Sequence, residues 1–242
     1  MRLSLGLFLG FLMATGGWAL PPRADSITLV STSVGLKTLF EALVPVYAEV
    51  GLRAVYEELP ASRLNVAAQT GEADAIIAVS EGFQKALVDH YLALGKGKDP
   101  LGVSNLCLYL RKGDVGKFLP DPKTWGGRTV GVIASVGPNL TDAYMKNVSG
   151  VSLMTAPSYS SLVKMLDGYR FDFFLSTQGA VEPEIEAAGL TDHIVRVPKP
   201  LLTVRYYHAL NRRFEALAPA LSEAILKHQK EIDAAVDALV NR

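Results

Sequence analysis

The sequence predicts an α/β fold built from doubly wound sheets flanked by helices. Three observations carry this. Residues 26–79 read strand, helix, strand, helix, strand, the order that opens such a sheet. The run Ala75-Ile76-Ile77-Ala78-Val79 is apolar without alternation, as expected of a strand covered on both faces. After a stretch rich in Gly, Pro and Asp at residues 112–123, the same strand-helix logic starts again, so two lobes are expected.

Residues 26–31 form the first strand, with Ile27, Leu29 and Val30 apolar, and Ser31 opens a small polar loop. The next helix carries Leu36, Leu39, Phe40, Leu43, Val46 and Tyr47 at helical spacing. Pro45 should kink it and Gly51 ends it. The second strand, residues 52–57, stops at Leu59-Pro60, because proline lacks the donor a central ladder needs. Residues 61–70 read as a helix with Gly71 just past its end. Ser80 and Glu81 then lie at the carboxyl end of the third strand, where ligands sit in open α/β sheets. Phe83, Leu87, Tyr91 and Leu94 suggest one short amphipathic segment within residues 81–98.

A long strand follows at residues 103–111. Residues 129–133 are a strand, 134–139 a loop and 140–147 a helix. A helix start offers free N–H groups and a positive pole, so an anion can rest by Ser135 and Gly137; an ordinary cap is the equal alternative. Further strands are expected at 151–154, 171–175 and 194–197, and helices at 162–167 and 182–188. Thr177 lies at the carboxyl end of the 171–175 strand. A long strand at 202–210 leads to a helical tail at 214–241, with Pro219 near the start of its main helix. Its apolar side should pack on the first lobe.

Composition narrows the function. The 242 residues carry zero formal net charge, so nothing points to nucleic acid. The single cysteine, Cys107, sits in an apolar run and reads as a buried structural residue. Arg2, an apolar core at residues 3–13 shorter than the ~20 residues of a membrane span, and Gly17-Trp18-Ala19 predict a signal peptide at residues 1–19. The expected location is the periplasm. There is no zinc spacing, no nucleophile elbow, no dinucleotide fingerprint and no phosphate loop. The four histidines are scattered, and His208 reads as structural. No cofactor, metal or catalytic residue is expected.

Arg63 goes against the local physics. It falls in the first turn of its helix, where the dipole disfavours a cation by a few tenths to ~1 kcal/mol. An ion pair with Glu57 or Glu58, or plain solvation, is one compensation. An anionic ligand met by the planar guanidinium is the other.

The stretch Leu59-Pro60-x-x-Arg63, then Gly71-Glu72-Ala73-Asp74-Ala75 and a buried strand, resembles the bacterial periplasmic solute-binding proteins of the two-lobed, two-hinge type, in particular the amino-acid-binding family 3 of ABC importers. Residues 126–132, GGRTVGV, and 166–172, LDGYRFD, are similar to that family's second-lobe segments, and the resemblance spans roughly residues 26–240. It implies the type II periplasmic binding fold, with lobe 1 formed by residues 26–107 and 203–242 and lobe 2 by residues 108–202. The two long strands would be the hinge crossings. It also implies a monomer that captures a small molecule for the permease of an ABC importer or for a sensor kinase. The family's carboxylate-clamping arginine after the third strand and its amine-holding aspartate are both absent, since 80–84 reads SEGFQ and 175–177 reads LST. A free α-amino acid in the usual pose is therefore not expected, because a buried charge without its partner costs several kcal/mol. The expected ligand is a small polar or anionic molecule, and the expected contacts are Ser31, Glu58, Arg63, Ser80, Glu81, Ser135, Gly137 and Thr177. The rival readings are an enzyme on the same scaffold, such as a dehydratase of a cyclic acid, and a ligand-sensing module.

Overall fold

The computed structural model describes residues 26–133, 140–145 and 148–240. The expected signal peptide at residues 1–19 lies outside them, as do Ser135 and Gly137. The strands are β1 (Ser26–Ser31), β2 (Arg53–Glu58), β3 (Ala75–Ser80), β4 (Tyr91–Leu94), β5 (Gly102–Arg111), β6 (Thr129–Ile133), β7 (Ser152–Ala156), β8 (Phe173–Thr177), β9 (Ile194–Arg196) and β10 (Leu202–Asn211). The helices are α1 (Lys37–Glu49), α2 (Ala61–Thr70), α3 (Glu81–Ala86), α4 (Leu140–Met145), α5 (Tyr159–Asp167), α6 (Gln178–Ala187), α7 (Ala218–Lys227) and α8 (Gln229–Val240).

The strands form one mixed sheet in the order β2-β1-β3-β10-β5-β8-β6-β7, with β4 also on β10 and β9 on β5. At each end lies a parallel trio: β1 pairs with β2 and β3, and β6 pairs with β7 and β8. The long strands β5 and β10 run antiparallel to each other and join the trios. Parallel neighbours need helical crossovers, which cover both faces of each trio.

Four apolar clusters result, two in each half. In the first half, Ile27, Ile77, Tyr47 and Ile225 pack on one face, and Val30, Ile76, Val79 and Leu64 on the other. In the second half, Phe174, Leu162 and Ile185 fill one face, and Phe173, Leu108 and Trp125 the other. Successive side chains of β3 and β8 therefore both meet a core, which is why these strands read as unbroken apolar runs.

The two Asp-containing motifs have matching structural roles. Asp74 accepts the backbone N–H of Thr28 at 2.9 Å, and Asp172 accepts that of Thr129 at 2.8 Å. Each carboxylate holds the early part of its lobe's central strand. Gly71 takes φ +72° at the end of α2, the left-handed conformation its position predicts.

Several boundaries differ from the sequence reading. Residues 81–98 are not one amphipathic segment: α3 ends at Ala86, and β4 then pairs antiparallel with β10. Tyr91, at helical spacing from Leu87, instead buries its ring beneath α2 and donates its hydroxyl to Ala73 O at 3.0 Å. Helix α6 starts at Gln178, straight after β8, rather than at 182. The C-terminal tail is two helices broken at His228, whose ring pairs with Glu49 at 2.8 Å. Beyond the first-half core, α8 also reaches the other half, where Gln178 Nε2 donates to Val240 O at 2.6 Å.

Candidate functional site

Between the halves, at the carboxyl ends of the parallel strands, lies a cavity of about 160 Å³. The first half contributes Ser31 from β1, Ala78 and Ser80 from β3, Leu64 and Asn65 from α2, and Phe83 from α3. The second half contributes Ile133 from β6, Thr141 from α4, Tyr159 from α5, and Ser176 and Thr177 from β8. The long strands supply Leu106 and Tyr206 to the wall between them. Ending each parallel strand at the same level is what makes this crevice.

Most of the hydroxyls are already held. Ser31 Oγ donates to Ser33 O at 3.1 Å and accepts Ser33 N–H at 3.2 Å. Ser80 caps α3 by accepting the N–H of Phe83 at 3.3 Å. Thr141 donates to Leu175 O at 3.4 Å, which ties α4 to β8. Ser176 donates its hydroxyl to Thr177 O at 3.3 Å. Asn65 differs: it is 8% exposed, and among the described residues its amide makes no hydrogen bond. Facing the cavity, this amide offers two donors and an acceptor to an occupant.

No Asp, Glu, Lys, Arg or His lines the cavity among the described residues. Burial pushes the Tyr159 phenol up to about 12, and burial likewise pushes the Tyr206 phenol up, so both rings stay neutral. The arrangement can hold a neutral molecule by hydroxyls, an amide and apolar walls; a full charge inside it would lack a partner.

The two halves touch beside the cavity. A 3-10 turn at Val34–Leu36 packs on α6, and Ser33 Oγ donates to Ala180 O at 3.2 Å. Gly35 is needed there, since a Cβ would lie 2.4 Å from Gly179 O and 2.8 Å from Pro183 Cγ. Pro183 lacks an N–H, so it cannot bond the Gly179 carbonyl four residues back, and that oxygen is left facing the turn. On α6, burial first and Glu58 second push the Glu184 carboxyl up.

Of the residues expected from sequence, Ser31, Ser80 and Thr177 come together in the cavity. Glu58, Arg63 and Glu81 do not line it. Arg63 is exposed and borders a separate outer cleft with Glu57, Glu72 and Asp74. The helical period explains this: Ala61, Leu64, Asn65 and Ala68 share the buried arc of α2, and position 63 falls outside it. Arg63 makes no ion pair among the described residues, and its exposure leaves the guanidinium open to water. Glu81 is turned to Lys85 at 2.9 Å, one helical turn on, and this partner lowers its carboxyl. Glu58 is exposed on the edge strand β2. Sequence reasoning missed Asn65, Tyr159, Ser176 and Tyr206. For Asn65 the signal was present, as a lone amide on the apolar arc of α2; for the tyrosines none was.

No family model matches the chain, and no curated protein matches its sequence. Solved structures do match its fold. An ancestral arginine-binding protein bound to arginine aligns with TM-score 0.71 at 14% identity, covering 89% of this chain and 98% of that one. The amino acid ABC transporter substrate-binding protein AbpA from Streptococcus pneumoniae, bound to L-arginine, aligns with TM-score 0.69 at 15% identity over 89% and 94%. A histidine kinase sensor domain with similarity to periplasmic binding proteins aligns with TM-score 0.69 at 14% identity over 90% and 96%. The chain thus has the two-lobed periplasmic binding protein fold.

Proposed function

We propose that this chain is a periplasmic solute-binding or ligand-sensing module that captures a small neutral polar molecule between its lobes. The observation that carries the reading is the cleft itself, lined from both halves by hydroxyls, a free amide and apolar side chains, with no charged group among the described lining residues. Such lining suits a neutral polar ligand better than the anionic or zwitterionic one, because a charge desolvated there would go unpaired. In this reading Asn65 is the principal contact, with Ser80 and Thr177; Ser135 and Gly137, expected contacts from the sequence, lie outside the described residues.

In this reading residues 1–19 are a cleaved signal peptide, lobe 1 comprises residues 26–107 and 203–242, and lobe 2 comprises residues 108–202. Among the described residues no helix is long and apolar enough to cross a membrane. The ligand-loaded monomer would then be read by the permease of an ABC importer or by a sensor kinase; solved proteins of both kinds share the fold. A binding role rather than catalysis is supported by the two cleft tyrosines, whose raised pKa keeps them from serving as general bases near neutral pH.

Native mass spectrometry of protein purified from its own cells, followed by thermal-shift screening, tests this. The expected result is a co-purified neutral molecule that raises Tm. Recovery of a strongly charged ligand, or turnover of the molecule added, would overturn it.

A further inference from the structure

Asn65 brings to the cleft a chemistry that nothing else among the described residues uses. It lies on the buried arc of α2 with Ala61, Leu64 and Ala68, where an apolar side chain would pack as well and favour the helix more. The residue is 8% exposed and lines the cavity, and its amide makes no hydrogen bond among the described residues. Neither amide atom is sealed off. Unlike Ser104 Oγ, which is buried without a partner, Oδ1 and Nδ2 of Asn65 keep surface that an occupant can reach. A polar group so placed calls for a partner.

The rest of the lining limits what that partner is attached to. Ser31, Ser80, Thr141 and Ser176 are tied to backbone groups. Leu64, Phe83, Leu106, Ile133 and Leu175 give apolar wall from both halves and the strand between them. A sugar or polyol carries hydroxyls all round, and such walls would leave many of them unpaired. The lining suits an apolar body with one localised polar edge. Asn65 presents two donors and an acceptor at the end of one planar group. Its complement carries an acceptor and a donor side by side. An open-chain secondary amide does not, because its N–H and C=O point in opposite directions across the trans bond. A small ring locks the amide cis and puts the two together, with no rotor to freeze.

We propose that the cleft selects a neutral ring amide, a lactam or cyclic imide, which pairs its N–H and C=O edge with the Asn65 side chain. This rests on the reading of the cleft as a site for a neutral molecule. A water-sized group needs roughly 10–15 Å³ of such space, so a cavity of about 160 Å³ fits a body of roughly ten non-hydrogen atoms. Asn65 is then the specificity-determining residue, and the apolar walls supply the buried area.

The test is titration of the intact protein, methyl-labelled at Ile, Leu and Val, with 3,4-dihydro-2-quinolone, followed by NMR. Saturable shifts at Leu64, Leu106, Ile133 and Leu175 are expected. 2-Tetralone has the same shape with a methylene in place of the N–H, and it should bind at least about fivefold more weakly. In Asn65→Leu the two should bind equally, because the side chain that tells them apart is gone; Asn65→Ala serves if that variant melts early. A merely structural Asn65 would weaken both probes together and leave their ratio unchanged, which would overturn the proposal. Equal binding of lactam and ketone to the wild type would overturn it too. Erythritol and L-arginine separate the ring amide from the reading it rests on. Saturable binding of erythritol but not of the lactam would overturn the ring amide and leave the neutral-ligand reading standing. Binding of L-arginine alone would overturn both.

Discussion

Acid should destabilise this protein through one ring in the first core. His208 is 1% exposed on β10. Its Nε2 accepts the Tyr47 hydroxyl at 2.5 Å, and its Nδ1–H donates to Ile77 O at 3.2 Å. Both bonds fit the neutral ring, and burial pulls its pKa from 6.5 down to about 4. Above pH 6.5 the ring is neutral in folded and unfolded chains alike, and its contribution is fully present. Between pH 6.5 and 4 the unfolded ring takes a proton that the folded one refuses, so stability falls as pH falls. Below pH 4 both are protonated and the loss stops growing. At about 1.4 kcal/mol for each tenfold change, the span amounts to about 3 kcal/mol. His208→Gln keeps an amide donor and acceptor but cannot titrate. Urea denaturation of both proteins at pH 7.5 and pH 4.5 separates this ring from the carboxylates they share. The wild type should lose about 2–3 kcal/mol more than the variant over that interval. Equal losses would refute the assignment of a buried neutral His208.

Two further outcomes concern the site and the lobe contact. Once the co-purified ligand is identified, Asn65→Ala should weaken its calorimetric Kd by about 5–30-fold, the scale of one or two hydrogen bonds, while exposed Arg63→Ala leaves it unchanged; the reverse pattern would move the site to the outer cleft. Gly35→Ala should cost about 1–3 kcal/mol of stability and enlarge the radius of gyration in solution scattering, because its Cβ would collide with a backbone oxygen of α6 that cannot swing aside; unchanged melting and scattering would show that the contact is not rigid.

Much of the fold was legible because parallel strands leave local marks. Ala75 to Val79 is apolar at every position since each side chain meets a core, whichever face it points to. Gly71 marks a helix end by its own backbone chemistry and sits where such a residue is favoured. Residues 81–98 misled because Leu87 and Tyr91 are spaced as in a helix, while β4 is stabilised by ladder bonds to β10, some 115 residues away in sequence.

What the sequence by itself determined is the series of elements, the repeat of the lobe plan, the buried Cys107, a structural His208, and the three small hydroxyl residues Ser31, Ser80 and Thr177 at strand ends. Each follows from short-range rules: period, caps, turns and the position of a strand's carboxyl end. Only the tertiary structure decided the character of the cleft. Arg63 and Asn65 lie two residues apart on one helix, yet a rotation of about 200° sends one to solvent and the other to the cavity. Tyr159 and Tyr206 come from different parts of the chain and meet the same cavity only because β5 and β10 bring the lobes together. Electrostatics inside a cleft depends on which side chains converge there, and convergence between distant segments leaves no trace in local sequence.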